Sequence, residues 1–175
     1  VVLLGGGVLA AFEWTLGVGL VAAGWAMYAF ARRYGERVGW LAAILYVYWP
    51  YHLSNGLVRG AQAELWAMVW VPLLLAAVHD SARATDRQAR LRAGLLLALA
   101  TALLMLTHNI SAFFYTPFVL AFGIWEIGRL GDWEIGDWRS ARTAPQSPIS
   151  NLQSLLLFWL LGLALSAFFW LPALA

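Results

Sequence analysis

The sequence predicts an all-α fold, a polytopic transmembrane bundle of about six helices. Of the 175 residues, 62% are hydrophobic and only 11% are charged, and the mean hydropathy is +0.72. Soluble domains carry about 25% charged residues, so this chain has too few charges to cover a water-soluble globule. Its apolar runs are long enough to cross a hydrocarbon core about 30 Å thick. The basic residues are all arginines, and they cluster between these runs.

The same composition excludes several classes of function. An ordinary soluble enzyme and a disordered tail are both incompatible with so apolar a chain. The short arginine clusters are typical of membrane topology signals rather than of a phosphate-backbone footprint, so no nucleic-acid partner is expected. The chain has no cysteine, which excludes disulfides and thiolate metal sites. The lipid bilayer is therefore the first predicted partner.

Apolar segments of about 17–25 residues are candidate membrane spans. The predicted spans are residues 8–31, 38–54, 61–79, 93–108, 111–127 and 152–174. The apolar stretch 93–127 would form a single helix about 52 Å long at 1.5 Å per residue, too long for one crossing. We therefore expect two helices there, with a tight reversal at His108 and Asn109.

Arginine placement predicts the orientation of these spans. Clusters follow the first, third and fifth spans: Arg32, Arg33 and Arg37; Arg83, Arg87, Arg90 and Arg92; and Arg129, Arg139 and Arg142. Under the positive-inside rule these three loops are cytoplasmic, and an even number of spans separates each pair. The predicted location is the cell membrane, with the long loop 128–151 on the cytoplasmic side.

Both ends of the chain lie in apolar runs. Val1 is not a methionine, and no positively charged region precedes the first run, so that run is not a signal peptide. We expect residues 1–175 to form a single transmembrane domain that is an internal fragment of a larger protein.

The connection around residues 52–60 is predicted to lie on the external face, and the segment 48–64 that contains it holds the most informative polar residues. Arg59 is the only arginine on that side, which favours a purpose such as binding a phosphate with its planar guanidinium. Glu64 follows at the start of the next span. The structural alternatives are that Arg59 meets lipid headgroups and that Glu64 stabilises a helix N-terminus.

His108 and Asn109 lie in the other external turn. One interpretation places His108 with Glu64 and His52 in a polar cluster that binds a ligand. The alternative is structural, because Asn109 or Thr107 can cap the following helix and His108 can be an interface histidine. Three possible ligands without fixed helical spacing are weak support for a divalent metal, so a divalent metal stays an alternative for this cluster and no metal site or other cofactor is assigned.

Three segments carry a family resemblance: residues 51–64 (YHLSNGLVRGAQAE), 107–112 (THNISA) and 166–174 (SAFFWLPAL). They resemble bacterial multi-pass membrane proteins called 6-pyruvoyl-tetrahydropterin synthase-related, which are similar to GT-C-type membrane glycosyltransferases. The resemblance implies transfer of a sugar from a polyprenyl-phosphate donor at the external face. Leu57 stands where an aromatic residue would be expected, and nothing resembles the zinc-binding histidines of a pterin synthase.

The resemblance also implies a set of site residues. The lipid phosphate or substrate would contact Arg59, Glu64, His108, Asn109 and His52. The catalytic base of such an enzyme would be a carboxylate in an external loop that would precede Val1, so the catalytic residue is unknown.

Two other classes of function stay open, a transporter or lipid flippase and a membrane scaffold subunit without chemistry. Transporters hold polar sites near the midplane of the membrane, whereas the polar residues of this chain gather at one rim. That placement favours an enzyme or a lipid-headgroup binder. The sequence carries no signal for the donor sugar, the acceptor or the oligomeric state.

Overall fold

A computed structural model describes residues 7–131 and 148–174, with side chains described for 7–129 and 152–172. Helices make up 92% of the described residues, and no strand occurs among them. The predicted all-α fold class is confirmed.

Eight α-helices follow one another along the described residues. They are α1 (Val8–Ala31), α2 (Glu36–Val47), α3 (Pro50–Leu53), α4 (Gln62–Arg83), α5 (Arg87–Thr107), α6 (Asn109–Gly131), α7 (Pro148–Leu165) and α8 (Ala167–Trp170). A 3-10 turn, Arg32–Tyr34, follows α1, a π-helical turn, Ser54–Val58, follows α3, and a 3-10 turn, Leu171–Leu174, follows α8.

Four helical stretches are long and apolar enough to cross a membrane. They are Val8–Tyr34, Gln62–Arg83, Arg87–Thr107 and Asn109–Arg129. They coincide with the first, third, fourth and fifth predicted spans, and α7 contributes a shorter apolar helix, Leu152–Leu165. Their length and composition are compatible with a multi-pass integral membrane protein.

The predicted spans 38–54 and 152–174 differ from the helices in the structure, because each segment is broken. In the first, Trp49 has a ψ of 129° before Pro50, since proline disfavours the α conformation in the preceding residue. This leaves α2 with 12 residues, fewer than a perpendicular crossing needs. In the second, α7 ends at Leu165 and the chain turns at Ser166.

The division of the apolar stretch 93–127 into two helices is confirmed, and the reversal of chain direction stays a prediction. Helix α5 ends at Thr107 and α6 begins at Asn109, so His108 alone separates them. His108 has an extended backbone, with φ of −157° and ψ of 97°. Most of the predicted loop 128–151, residues 132–147, lies outside the described residues.

The chain divides into two compact units, Val1–Leu73 and Leu74–Ala175. In the first unit, small residues of α1 pack against the N-terminal half of α4, with a buried cluster of Ala23, Ala26 and Val69. Trp66 and Trp70 cover this cluster. The single transmembrane domain expected for residues 1–175 stays a prediction.

Glycines let two helices of the second unit approach closely. A Cβ at Gly162 of α7 would lie 2.5 Å from the Ala98 carbonyl oxygen of α5. One at Gly94 of α5 would overlap the Phe158 ring of α7. Small residues serve this purpose between membrane helices, where close backbone packing stabilises association.

Candidate functional site

The link between α3 and α4 is held in one conformation by backbone hydrogen bonds. The Arg59 N–H donates to the Ser54 carbonyl at 2.9 Å, and the Ala61 N–H donates to the Asn55 carbonyl at 2.8 Å. Gly60, between them, has a φ of +61°, which only glycine adopts without strain. The π-helical turn is the form of helix found frequently at functional sites.

This link brings together Arg59 and Glu64, two of the site residues that the resemblance implies. The Arg59 Nη1 donates to Asn55 Oδ1 at 2.5 Å and lies 3.1 Å from Glu64 Oε2. The Tyr51 hydroxyl donates to the other carboxylate oxygen, Glu64 Oε1. We call Tyr51, Asn55, Arg59 and Glu64 the Arg59 cluster.

The guanidinium of Arg59 remains accessible within this cluster. Its side chain is 53% exposed, whereas that of Glu64 is 16% exposed. Among the described residues, both polar contacts of Arg59 go through Nη1, so Nη2 and Nε keep their N–H donors for another partner. A guanidinium offers five donors in a planar fork that fits two oxygens of a phosphate.

His52 lies beside the Arg59 cluster but is buried rather than exposed. Its side chain is 1% exposed, and its Nδ1 donates to the Tyr46 carbonyl at 3.0 Å. Such burial disfavours the charged form of its imidazole. The ring is therefore neutral at pH 7, with Nε2 as an acceptor.

His108 and Asn109 belong to the second unit, where both act locally. The His108 Nδ1 accepts the Ser111 N–H at 3.1 Å and lies 2.7 Å from the Ser111 Oγ. This is the N-cap arrangement for α6. Asn109 Oδ1 accepts only the neighbouring Ile110 N–H, at 2.9 Å, and Thr107 Oγ1 donates back to Leu103 O at 2.5 Å. The predicted cap exists, but His108 provides it rather than Asn109 or Thr107.

One buried charged group of the second unit was missed by the sequence analysis. Glu126 of α6 is 0% exposed and forms an ion pair with Arg83 of α4. His79, one helical turn before Arg83, places its Nδ1 3.4 Å from Glu126 Oε1. The available signal was Glu126 itself, the only acidic residue of an otherwise apolar helix, because carboxylates in such helices are costly and need partners.

In residues 7–131 and 148–174, no group of three or more His, Asp or Glu side chains could hold a metal ion. No protein-family model, curated protein or solved structure matches the chain. The resemblance to GT-C-type enzymes therefore stays a prediction, and so does a site that His108 shares with Glu64 and His52.

Proposed function

We propose that this chain is an integral membrane protein that binds the phosphate of a polyprenyl-phosphate-linked sugar through Arg59, as part of a GT-C-like glycosyltransferase at the external membrane face. One observation carries the proposal. Arg59 is half exposed and anchored through Nη1 by Asn55 and Glu64, which leaves Nη2 and Nε available. An arginine held in this way needs little further ordering when it binds an anion.

The surroundings of Arg59 suit a ligand that is anionic at one end and apolar at the other. The link leads directly into α4, which is long and apolar enough to cross a membrane. At the end of such a helix the guanidinium stays near the hydrated interface, where its charge costs far less than at the bilayer centre. The phosphate would lie at this interface and the prenyl chain in the hydrocarbon layer.

Arg59 would also contribute to the chemistry of sugar transfer. A base takes the proton of the acceptor hydroxyl, whose oxygen attacks the anomeric carbon while the bond from that carbon to the phosphate oxygen breaks. The lipid phosphate leaves with an additional negative charge. A guanidinium placed on that phosphate stabilises the developing charge. The resemblance assigns the base to a carboxylate that would precede Val1.

A transporter is a less suitable interpretation of the same helices. A transporter would place charged groups near the midplane of the membrane. Glu126, the most deeply buried carboxylate of the described residues, lies three residues from the end of the 21-residue stretch Asn109–Arg129. Its partner Arg83 is the last residue of α4, so the pair lies at the helix ends.

The test is binding of farnesyl phosphate to the full-length protein in lipid nanodiscs. A charge-assisted hydrogen bond contributes about 1.5–3 kcal/mol, so Arg59→Ala should weaken binding by about 10–150-fold. Arg59→Lys should recover only part of the affinity, because an ammonium cannot form the two parallel bonds of a guanidinium.

Arg37→Ala is the matched control, because it removes the same charge from an exposed arginine at the start of α2. It should leave the affinity within about twofold, and thermal melting should show that the three variants fold. Unchanged affinity in Arg59→Ala, or an equal loss in Arg37→Ala, would contradict the assignment.

A further inference from the structure

Two buried polar atoms beside Arg59 have no hydrogen-bond partner among the described residues. They are Nε2 of His52 and Nδ2 of Asn55. The two side chains are 1% and 0% exposed, respectively. An unsatisfied donor or acceptor at such depth is costly, and native proteins leave few of them without a functional reason.

The hydrogen-bonding role of each atom follows from its other contacts. The Oδ1 of Asn55 must face Arg59, because a guanidinium only donates, so the unpartnered Nδ2 is a donor. The Nδ1 of His52 must carry a proton to bond the Tyr46 carbonyl. In the neutral imidazole the unpartnered Nε2 is therefore an acceptor.

The two residues are neighbours on one helical surface. His52 lies in α3 and Asn55 in the π-helical turn that continues it, and residues three apart share a face of a helix. An unpaired donor and an unpaired acceptor on residues that share a helix face suit one oxygen that both accepts and donates. A hydroxyl group has that capacity, whereas a phosphodiester oxygen only accepts.

We propose that His52 and Asn55 bind a hydroxyl group of the sugar whose phosphate is held by Arg59, an inference that rests on the proposed function. Asn55 connects the two parts of the site, since its oxygen aligns the guanidinium and its amide nitrogen donates to the sugar hydroxyl. Because both side chains are buried, the sugar hydroxyl reaches them only when the hydrogen-bonded link opens locally. A water molecule offers the same chemistry, so the test must separate the two sources.

Two probes of equal charge make this separation. Farnesyl phosphoryl glucose and methyl farnesyl phosphate are both phosphodiesters, and only the first carries sugar hydroxyls. Wild-type full-length protein in nanodiscs should bind farnesyl phosphoryl glucose at least about 5-fold more tightly than methyl farnesyl phosphate. Equal affinity for the two probes would mean that His52 and Asn55 bind a water molecule rather than a sugar hydroxyl, and would overturn the inference.

Two variants then test whether His52 and Asn55 cause the preference for the glucose probe. His52→Asn keeps a donor near the position of Nδ1 and removes the Nε2 acceptor. Asn55→Asp keeps the oxygen beside Arg59 and removes the Nδ2 donor, and its extra negative charge acts on both probes alike. Each variant should reduce the ratio of the two affinities by about 2–12-fold, the effect of one neutral hydrogen bond.

A ratio unchanged in the folded variants would overturn the inference, whatever happens to the separate affinities. Thermal melting identifies a variant that does not fold. In that case the ratio of the wild-type affinities for the two probes decides whether the inference holds. Arg59→Ala separates this inference from the proposed function. Suppose that Arg59→Ala weakens the binding of both probes, while His52→Asn and Asn55→Asp leave the ratio of the two affinities unchanged. Then only the proposed hydroxyl site is wrong, and the phosphate site at Arg59 stands.

Discussion

At the scale of single residues, Arg59 and Arg83 pair with carboxylates in opposite environments. The Arg59–Glu64 pair is 53% and 16% exposed, whereas the Arg83–Glu126 pair is 34% and 0% exposed. An exposed ion pair contributes little to stability because water and salt screen it. A buried pair is different, since loss of one partner leaves the other charge without compensation.

This contrast predicts unequal effects of removing the two carboxylates. Glu126→Ala should destabilise the fold by about 3 kcal/mol, because Arg83 and His79 lose their buried partner. Glu64→Ala should cost no more than about 1 kcal/mol. Equilibrium unfolding in mixed detergent micelles measures both.

Salt provides the control for that comparison. Raising the ionic strength should reduce the small effect of Glu64→Ala further and leave the effect of Glu126→Ala nearly unchanged, because buried pairs are screened less. Equal destabilisation by the two substitutions would show that the burial of Glu126 has no energetic consequence.

At the scale of helices, the sequence predicts the elements that depend on local signals. The helix break at His108 follows from polar residues inside an apolar stretch that is too long for one crossing. The break before Pro50 has an equally local cause, but the span was predicted from the length of an apolar segment, which reaches residue 54. Hydropathy measures side chains and is insensitive to backbone hydrogen bonds that proline removes.

The contacts of the candidate site also differ in whether a local sequence signal predicts them. Arg59 and Glu64 are five residues apart at a helix start, so their contact could be anticipated. The Asn55 contact depends on an unusual π-helical turn, which residue patterns do not reveal. Glu126 meets Arg83 across 43 residues of sequence, and only the packing of α6 against α4 selects that partner.

The close approach of α5 and α7 makes one glycine critical. Gly162→Ala places a methyl group 2.5 Å from a backbone oxygen of α5, and backbone cannot move aside as a side chain can. The helices must separate, at a cost of about 1–3 kcal/mol. Thermal unfolding in detergent measures the loss.

Gly17→Ala in α1 is the matched control, because nothing lies within 4 Å of its added methyl group. It should be neutral or stabilise the helix by up to about 1 kcal/mol. A Gly162→Ala variant as stable as Gly17→Ala would mean that α5 and α7 do not rely on this contact.

At the scale of the whole molecule, the proposed phosphate site at Arg59 depends on the membrane topology of the chain. Arginine placement predicts that the links after α1 and α4 are cytoplasmic and that the link holding Arg59 is external. A lipid-phosphate donor used at the external face requires this orientation. Helix lengths alone do not fix it, since α2, with 12 residues, is too short to cross a hydrocarbon core by itself.

Single-cysteine labelling in intact cells tests this arrangement most directly, because the native chain has no cysteine. The structure offers exposed positions, Val58 next to Arg59, Asn109 in the α5–α6 turn and Gln88 after the α4–α5 link. Val58→Cys and Asn109→Cys should react with a membrane-impermeant maleimide in intact cells. Gln88→Cys should react only after permeabilisation. Labelling of Gln88→Cys from outside, or protection of Val58→Cys until permeabilisation, would contradict an external Arg59 site.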